Sequence, residues 1–99
     1  MTHLRLWRFD VPAEIEPQFV AAYGPDGDWA LLFSRAPGFI STQLWHSDDG
    51  SYLTADNWRS LADFERFQQD HGEEYRRLDA ALEGLAGEER FIGAFELVR

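Results

Sequence analysis

The chain has 99 residues, 44% of them apolar and 15% aromatic, with no cysteine and a net charge of −9. The length allows one domain. The lack of cysteine excludes disulfides, thiolate metal sites and thiol nucleophiles, and acidity without clustered cations argues against nucleic acid and anionic membrane as partners.

No apolar run approaches the roughly 20 residues of a membrane span. Arg5, Arg8 and Asp10 interrupt any secretory signal near the start, so a cytoplasmic protein is expected. In chain order, Thr2–Val11 reads as a first strand, and Leu4, Leu6, Trp7, Phe9 and Val11 put bulk on both of its faces, as in a strand covered on both sides. Pro12 ends it. A helix is expected to start near Glu16 with Pro17 in its first turn, where a missing N–H costs little. Ile15, Phe19, Ala22 and Tyr23 then recur at helical spacing. The segment Tyr23-Gly24-Pro25-Asp26-Gly27-Asp28-Trp29 breaks that pattern, which resumes with Trp29, Leu32, Phe33 and Ala36 and stops at Pro37-Gly38. The connection therefore reads as two short helices joined by an elbow. Asp26 or Asp28 is expected to cap the second, and Tyr23 and Trp29 sit at the rims. A bent helical connection over a sheet leaves room for a small molecule.

Phe39–Ser47 reads as a strand with Ile40, Thr42, Leu44 and His46 on one face and Ser41, Gln43, Trp45 and Ser47 on the other. Asp48-Asp49-Gly50 is a hairpin turn. Ser51–Trp58 returns, with Tyr52, Thr54, Asp56 and Trp58 on one face. Ser60 and Asp63 form a start resembling a capping box. The helix that follows has a stripe of Leu61, Phe64, Phe67 and His71, a weak point and expected bend at Gly72, and a continuation through Tyr75, Leu78, Leu82 and Leu85. Glu88–Arg99 reads as a last strand, with Phe91, Gly93, Phe95 and Leu97 opposite Ile92, Ala94, Glu96 and Val98. The order is βαββαβ, an α+β, ferredoxin-like fold with an antiparallel four-stranded sheet and helices on one face. The opposite face remains apolar, which predicts a homodimer with an isologous partner sheet.

Three side chains are candidates for chemistry. His71 shares the inward stripe and is suited to act as base or donor near neutral pH; the alternative is a helix-end histidine bonded to Glu74 or a carbonyl. Asp56, if its face is buried, has a raised pKa and is a second candidate base; the alternative is an ion pair with Arg59, Arg5 or Arg8. Tyr75 either donates its phenolic proton to a substrate oxygen or packs on Leu78. Trp58 is placed to stack on a flat ligand or to fill the core, while Tyr23 and Trp29, flanking the elbow, either form the pocket mouth or pack as core residues. No metal or cofactor is expected: His3, His46 and His71 lie in no metal-ligand spacing, Pro37 stands where a calcium loop from Asp26 needs Glu, and neither a phosphate loop nor a nucleophile elbow occurs.

The βαββαβ order, the broken helix at Tyr23–Trp29, the run Arg35-Ala36-Pro37-Gly38-Phe39, and Trp58 closing the third strand ahead of Phe64, Phe67 and His71 resemble the antibiotic biosynthesis monooxygenase domain of the dimeric α+β barrel superfamily. The resemblance covers nearly the whole chain. It implies a homodimer with a helix–sheet pocket in each subunit, in which polycyclic phenols are oxidised to quinones by molecular oxygen without metal or flavin. The substrate is deprotonated and its anion reacts with oxygen, so the protein supplies an aromatic slot, a base and an oxyanion donor. On this reading His71, Asp56 and Tyr75 are catalytic, and Trp58, Tyr23, Trp29 and Phe67 bind a small, hydrophobic aromatic substrate. Haem-degrading relatives are an alternative; they use a His, a Trp and a first-strand Asn, and the one Asn of this chain is Asn57, on the third strand. A cyclase, an isomerase or a non-catalytic ligand-binding dimer completes the alternatives.

Overall fold

A computed structural model describes residues 2–98 of the chain. Strand β1 (His3–Asp10) leads through a 3₁₀ turn (Ala13–Ile15) into helix α1 (Glu16–Tyr23), then α2 (Asp28–Phe33), β2 (Phe39–His46), β3 (Tyr52–Trp58), α3 (Leu61–Ala81) and β4 (Glu88–Glu96). The expected end of the last strand, Arg99, lies outside the described residues. The four strands form one sheet in the order β2-β3-β1-β4, with every neighbouring pair antiparallel. This is the ferredoxin-like α+β arrangement.

Two β-bulges correct the face assignments. Phe39 pairs with Trp58 but Ser41 pairs with Asn57, so Ile40 is the extra residue and stands 55% exposed. Phe39, in place of Ile40, shares the inner face with Thr42 and Leu44. In β4, Leu6 pairs with Gly93 and Trp7 with Phe91, which makes Ile92 the extra residue. Phe91 therefore turns inward against Trp7, with ring centroids 5.0 Å apart, while Gly93 and Phe95 face outward. Strict alternation fails at both places because a bulge adds one residue to a period of two.

The elbow is also built differently from the expected Asp cap. Gly27 is the N-cap of α2, no side chain caps that helix, and Asp28 enters its first turn, where a carboxylate meets the positive end of the helix dipole. The choice of glycine follows from crowding. A Cβ on Gly27 would overlap the carbonyl oxygens of Ala21 and Ala22, so the chain folds back onto the end of α1 only without a side chain. Helix α3 begins as its sequence implies, with the Ser60 hydroxyl accepting from the Asp63 amide at 3.1 Å. It runs through Gly72 and bends one residue earlier, at His71 (φ −125°, ψ 20°).

The helices cover the inner face of the sheet and generate two aromatic clusters. One joins Phe9, Phe19 and Tyr52. The other joins Trp29, Phe33, Phe64, Phe67 and Trp58, with Trp58 and Phe67 fully buried. Tyr23 packs against both. The elbow geometry makes a prediction: Gly27→Ala should lose about 2–4 kcal/mol in chemical denaturation. Gly72→Ala, whose Cβ would meet only the Arg76 side chain at 3.4 Å, should be neutral or gain up to about 1 kcal/mol from helix propensity.

Candidate functional site

The site arises from what the inner face of β3 lacks. Tyr52 and Trp58, at its two ends, belong to the two aromatic clusters. Thr54 and Asp56 lie between them and are too short to reach the helices. A cavity of about 170 Å³ remains above them, and Thr42, Thr54 and Asp56 contribute to its lining. The elbow supplies Tyr23 and Trp29 to its walls, α2 supplies Phe33, and α3 supplies Tyr75. The rings form a continuous wall, with centroids 6.2 Å apart for Tyr23–Trp29 and 4.9 Å for Trp29–Tyr75.

Asp56 occupies the floor, deep in protein yet open to the cavity. Its direct cross-strand partners are Thr42 on β2 and Arg5 on β1. Burial pushes its carboxyl up to about 6, although the Thr42 hydrogen bond and the Arg5 charge both pull it down. Thr42 Oγ1 donates to Asp56 Oδ1 at 2.5 Å. Arg5 makes no ion pair among the described residues; its guanidinium lies over the rings of Phe64 and Phe91, 4.0 and 4.8 Å from their centroids, an arrangement favoured by the ring quadrupole. Burial raises the phenols of Tyr23 and Tyr75. The indole N–H of Trp29 is buried and makes no well-formed hydrogen bond; its polar neighbour is the Tyr23 phenol, which it pulls down against the effect of burial.

Of the residues singled out from sequence, Asp56, Tyr75, Tyr23 and Trp29 come together around this cavity. Trp58 and Phe67 lie in the core beside it. His71 sits at the bend of α3, with Nδ1 3.1 Å from Glu74 Oε2 and its ring stacked on Phe67 at 5.6 Å; it does not line the cavity. Glu74 also accepts from Arg35 at 2.9 Å, so this group ties α3 to the segment after α2. Sequence reading missed Thr42, Asp79 and Glu89 in the lining, and with them Trp7 and Phe9. Thr42 carried a signal, as a small polar residue on a face of large apolar ones. So did Asp79, four residues after Tyr75 and hence on the same side of α3. Among the described residues no cluster of three metal-ligating side chains occurs, and no helix is long and apolar enough to cross a membrane.

No family model matches the chain, and no curated protein matches it in sequence. Solved structures do. SnoaB from Streptomyces nogalater, a cofactor-independent oxygenase, is 25% identical over 99% of this chain and 94% of its own, with a TM-score of 0.71 for a mutant form. The chain has the antibiotic biosynthesis monooxygenase fold. The monooxygenase ActVA-Orf6 of Streptomyces coelicolor, solved with the ligand nanaomycin D, superposes with a TM-score of 0.70 at 19% identity, covering 98% of this chain and 88% of its own. Rv0793 from Mycobacterium tuberculosis gives 0.68 at 15% identity, covering 100% and 97%. The neighbours of this fold thus include one oxygenase that works without a cofactor and one monooxygenase that holds a small molecule.

The buried carboxyl has a measurable consequence. An aspartate in an unfolded chain titrates near 3.9 and Asp56 near 6, so between these values the native state holds the extra proton. Its contribution to stability therefore falls as pH rises from about 4 to 6 and is flat above. Asp56→Asn should gain about 1–3 kcal/mol over the wild type at pH 7 relative to their difference at pH 4. Urea titrations across this range measure it; a difference independent of pH would refute burial as the cause.

Proposed function

We propose that this domain is a cofactor-independent oxygenase that binds a flat, phenolic aromatic in the cavity and oxidises it with molecular oxygen. The observation that carries the reading is an aspartate with its pKa raised to about 6 on the floor of an aromatic-walled cavity, since a base works best with a pKa near the operating pH. The bound phenol gives its proton to Asp56. The phenolate donates its electron pair toward oxygen, a C–O bond forms, and the resulting hydroperoxide loses water to leave a quinone. One phenol and one O₂ become one quinone and one water. Trp29 N–H and Tyr75 O–H are the donors available to developing oxyanions. The haem-degrading alternative gains no support, because no histidine lines the cavity.

The outer sheet face completes the proposal. Leu4, Leu6, Leu53, Trp45 and Phe95 share it by register, and Trp45 and Phe95 are 56% and 46% exposed. A second copy of the chain, packed sheet to sheet, covers this surface in a homodimer.

Oxygen-electrode assays with monocyclic phenols and naphthols should show one O₂ consumed per quinone formed. The kcat/KM should rise with pH through an apparent pKa of about 6 and then level off. Asp56→Asn should lower kcat at least about 100-fold. Loss of turnover in His71→Ala with Asp56→Asn unaffected would move the base to His71, and no uptake above buffer would reject the oxygenase reading. Light scattering at micromolar concentration should give twice the chain mass, and Phe95→Glu should halve it; a wild-type monomer would reject the dimer.

A further inference from the structure

The charged groups in the cavity lining are all acidic. Asp56 lies on the floor, while Asp79 of α3 and Glu89 of β4 are exposed and close its mouth. These two also line an adjoining groove of about 470 Å³, together with Tyr23, so they stand where cavity and groove meet. Neither forms an ion pair among the described residues, although five such pairs involve other carboxylates. Their mutual proximity is felt: Glu89, although exposed overall, is raised by partial desolvation of its carboxylate and by the charge of Asp79. Arg5 is held over Phe64 and Phe91. Arg76 lines the same groove as Asp79 and Glu89 but forms an ion pair with neither among the described residues.

Size and wall chemistry narrow the occupant further. A cavity of roughly 150 Å³ holds one benzene ring, and this one is of that order. Trp29, Tyr23 and Tyr75 present π-faces and edges around it, surfaces that attract cations as well as rings. The indole N–H of Trp29, itself 8% exposed, lies beside the Tyr23 phenol without a well-formed hydrogen bond, and a ring oxygen offers it a better acceptor. The site thus has two polar ends, a base with a donor inside and, at the entrance, two carboxylates without an ion pair among the described residues.

We propose that the cavity selects a single hydroxylated aromatic ring bearing a protonated amine, with the hydroxyl toward Asp56 and the ammonium between Asp79 and Glu89. This rests on the cavity being the ligand site, as proposed above, and it adds the charge and size of the ligand. An anionic analogue would face three carboxylates without a counter-cation in the lining.

The test uses three ligands that share a 4-hydroxyphenyl ring: tyramine, p-cresol and 3-(4-hydroxyphenyl)propionate, which are cationic, neutral and anionic. Tryptophan fluorescence reports binding, since Trp7 and Trp29 line the cavity. Tyramine should bind at least about tenfold tighter than the propionate at low salt, the scale expected of two exposed carboxylates, and the gap should shrink as salt is added. In the isosteric double variant Asp79→Asn/Glu89→Gln, its fold checked by circular dichroism, the gap should fall below about threefold. Equal binding of all three ligands, a preference for the acid, an undiminished gap in the double variant, or no binding of any ligand would each overturn the proposal. Tyramine selectivity without oxygen uptake would sustain it while rejecting the oxygenase reading; oxygen uptake without charge preference would do the reverse.

Discussion

The inner face of β3 carries bulk at its two ends and short polar side chains in its middle, and the rest of the structure is arranged around that spacing. Tyr52 and Trp58 each seed an aromatic cluster in which burial of large rings supplies the driving force for packing. Thr54 and Asp56 cannot fill the height between sheet and helices. A close-packed interior would normally collapse over such a gap. It does not do so here because the helices above are already committed: Tyr23 packs on both clusters, and Trp29 and Phe33 are anchored in one of them. The space is held open by the good packing on either side of it.

The polar floor has an energetic cost that the aromatic clusters offset. A carboxyl held near pKa 6 is a group whose charged form the fold disfavours, and its two strand neighbours relieve this only in part. Thr42 donates one hydrogen bond, while Arg5, the cross-strand partner best placed to neutralise it, is drawn instead onto Phe64 and Phe91. Aspartates that are fully paired are driven to low pKa and become poor bases. Burial is what leaves Asp56 able to exchange a proton near neutrality, and Arg5, held over the rings, offsets it only in part.

Much of this was legible in the sequence. The order of elements, the elbow, the hairpin turn and the Ser60 cap all rest on local signals, namely Gly, Pro and Asp at fixed spacing and apolar periodicity, and local signals survive folding. Asp56 was legible as an inward carboxylate because β3 alternates without interruption. The failures were of two kinds. Ile40 and Ile92 shift their strands by one residue, and nothing in their own side chains announces a bulge. Glu89 and Asp79 meet only because β4 returns beside β1 and across from α3, a long-range encounter that no window of sequence contains. His71 fell between these cases: its place on the inward stripe was readable, whereas the non-helical turn at that residue, which hands its ring to Phe67 and Glu74, was not.

The two bulges also bear on how this molecule behaves in a crowded solution. They fall on β2 and β4, the two edge strands of the sheet. An unbroken edge is a template onto which strands of other molecules add without limit, and it is the usual starting point of fibrillar aggregates. A bulge interrupts the regular ladder and twists the edge out of register with an incoming strand. A small, strongly aromatic chain is thereby protected along the margins of its sheet, and its exposed apolar surface lies on a broad face rather than along an edge.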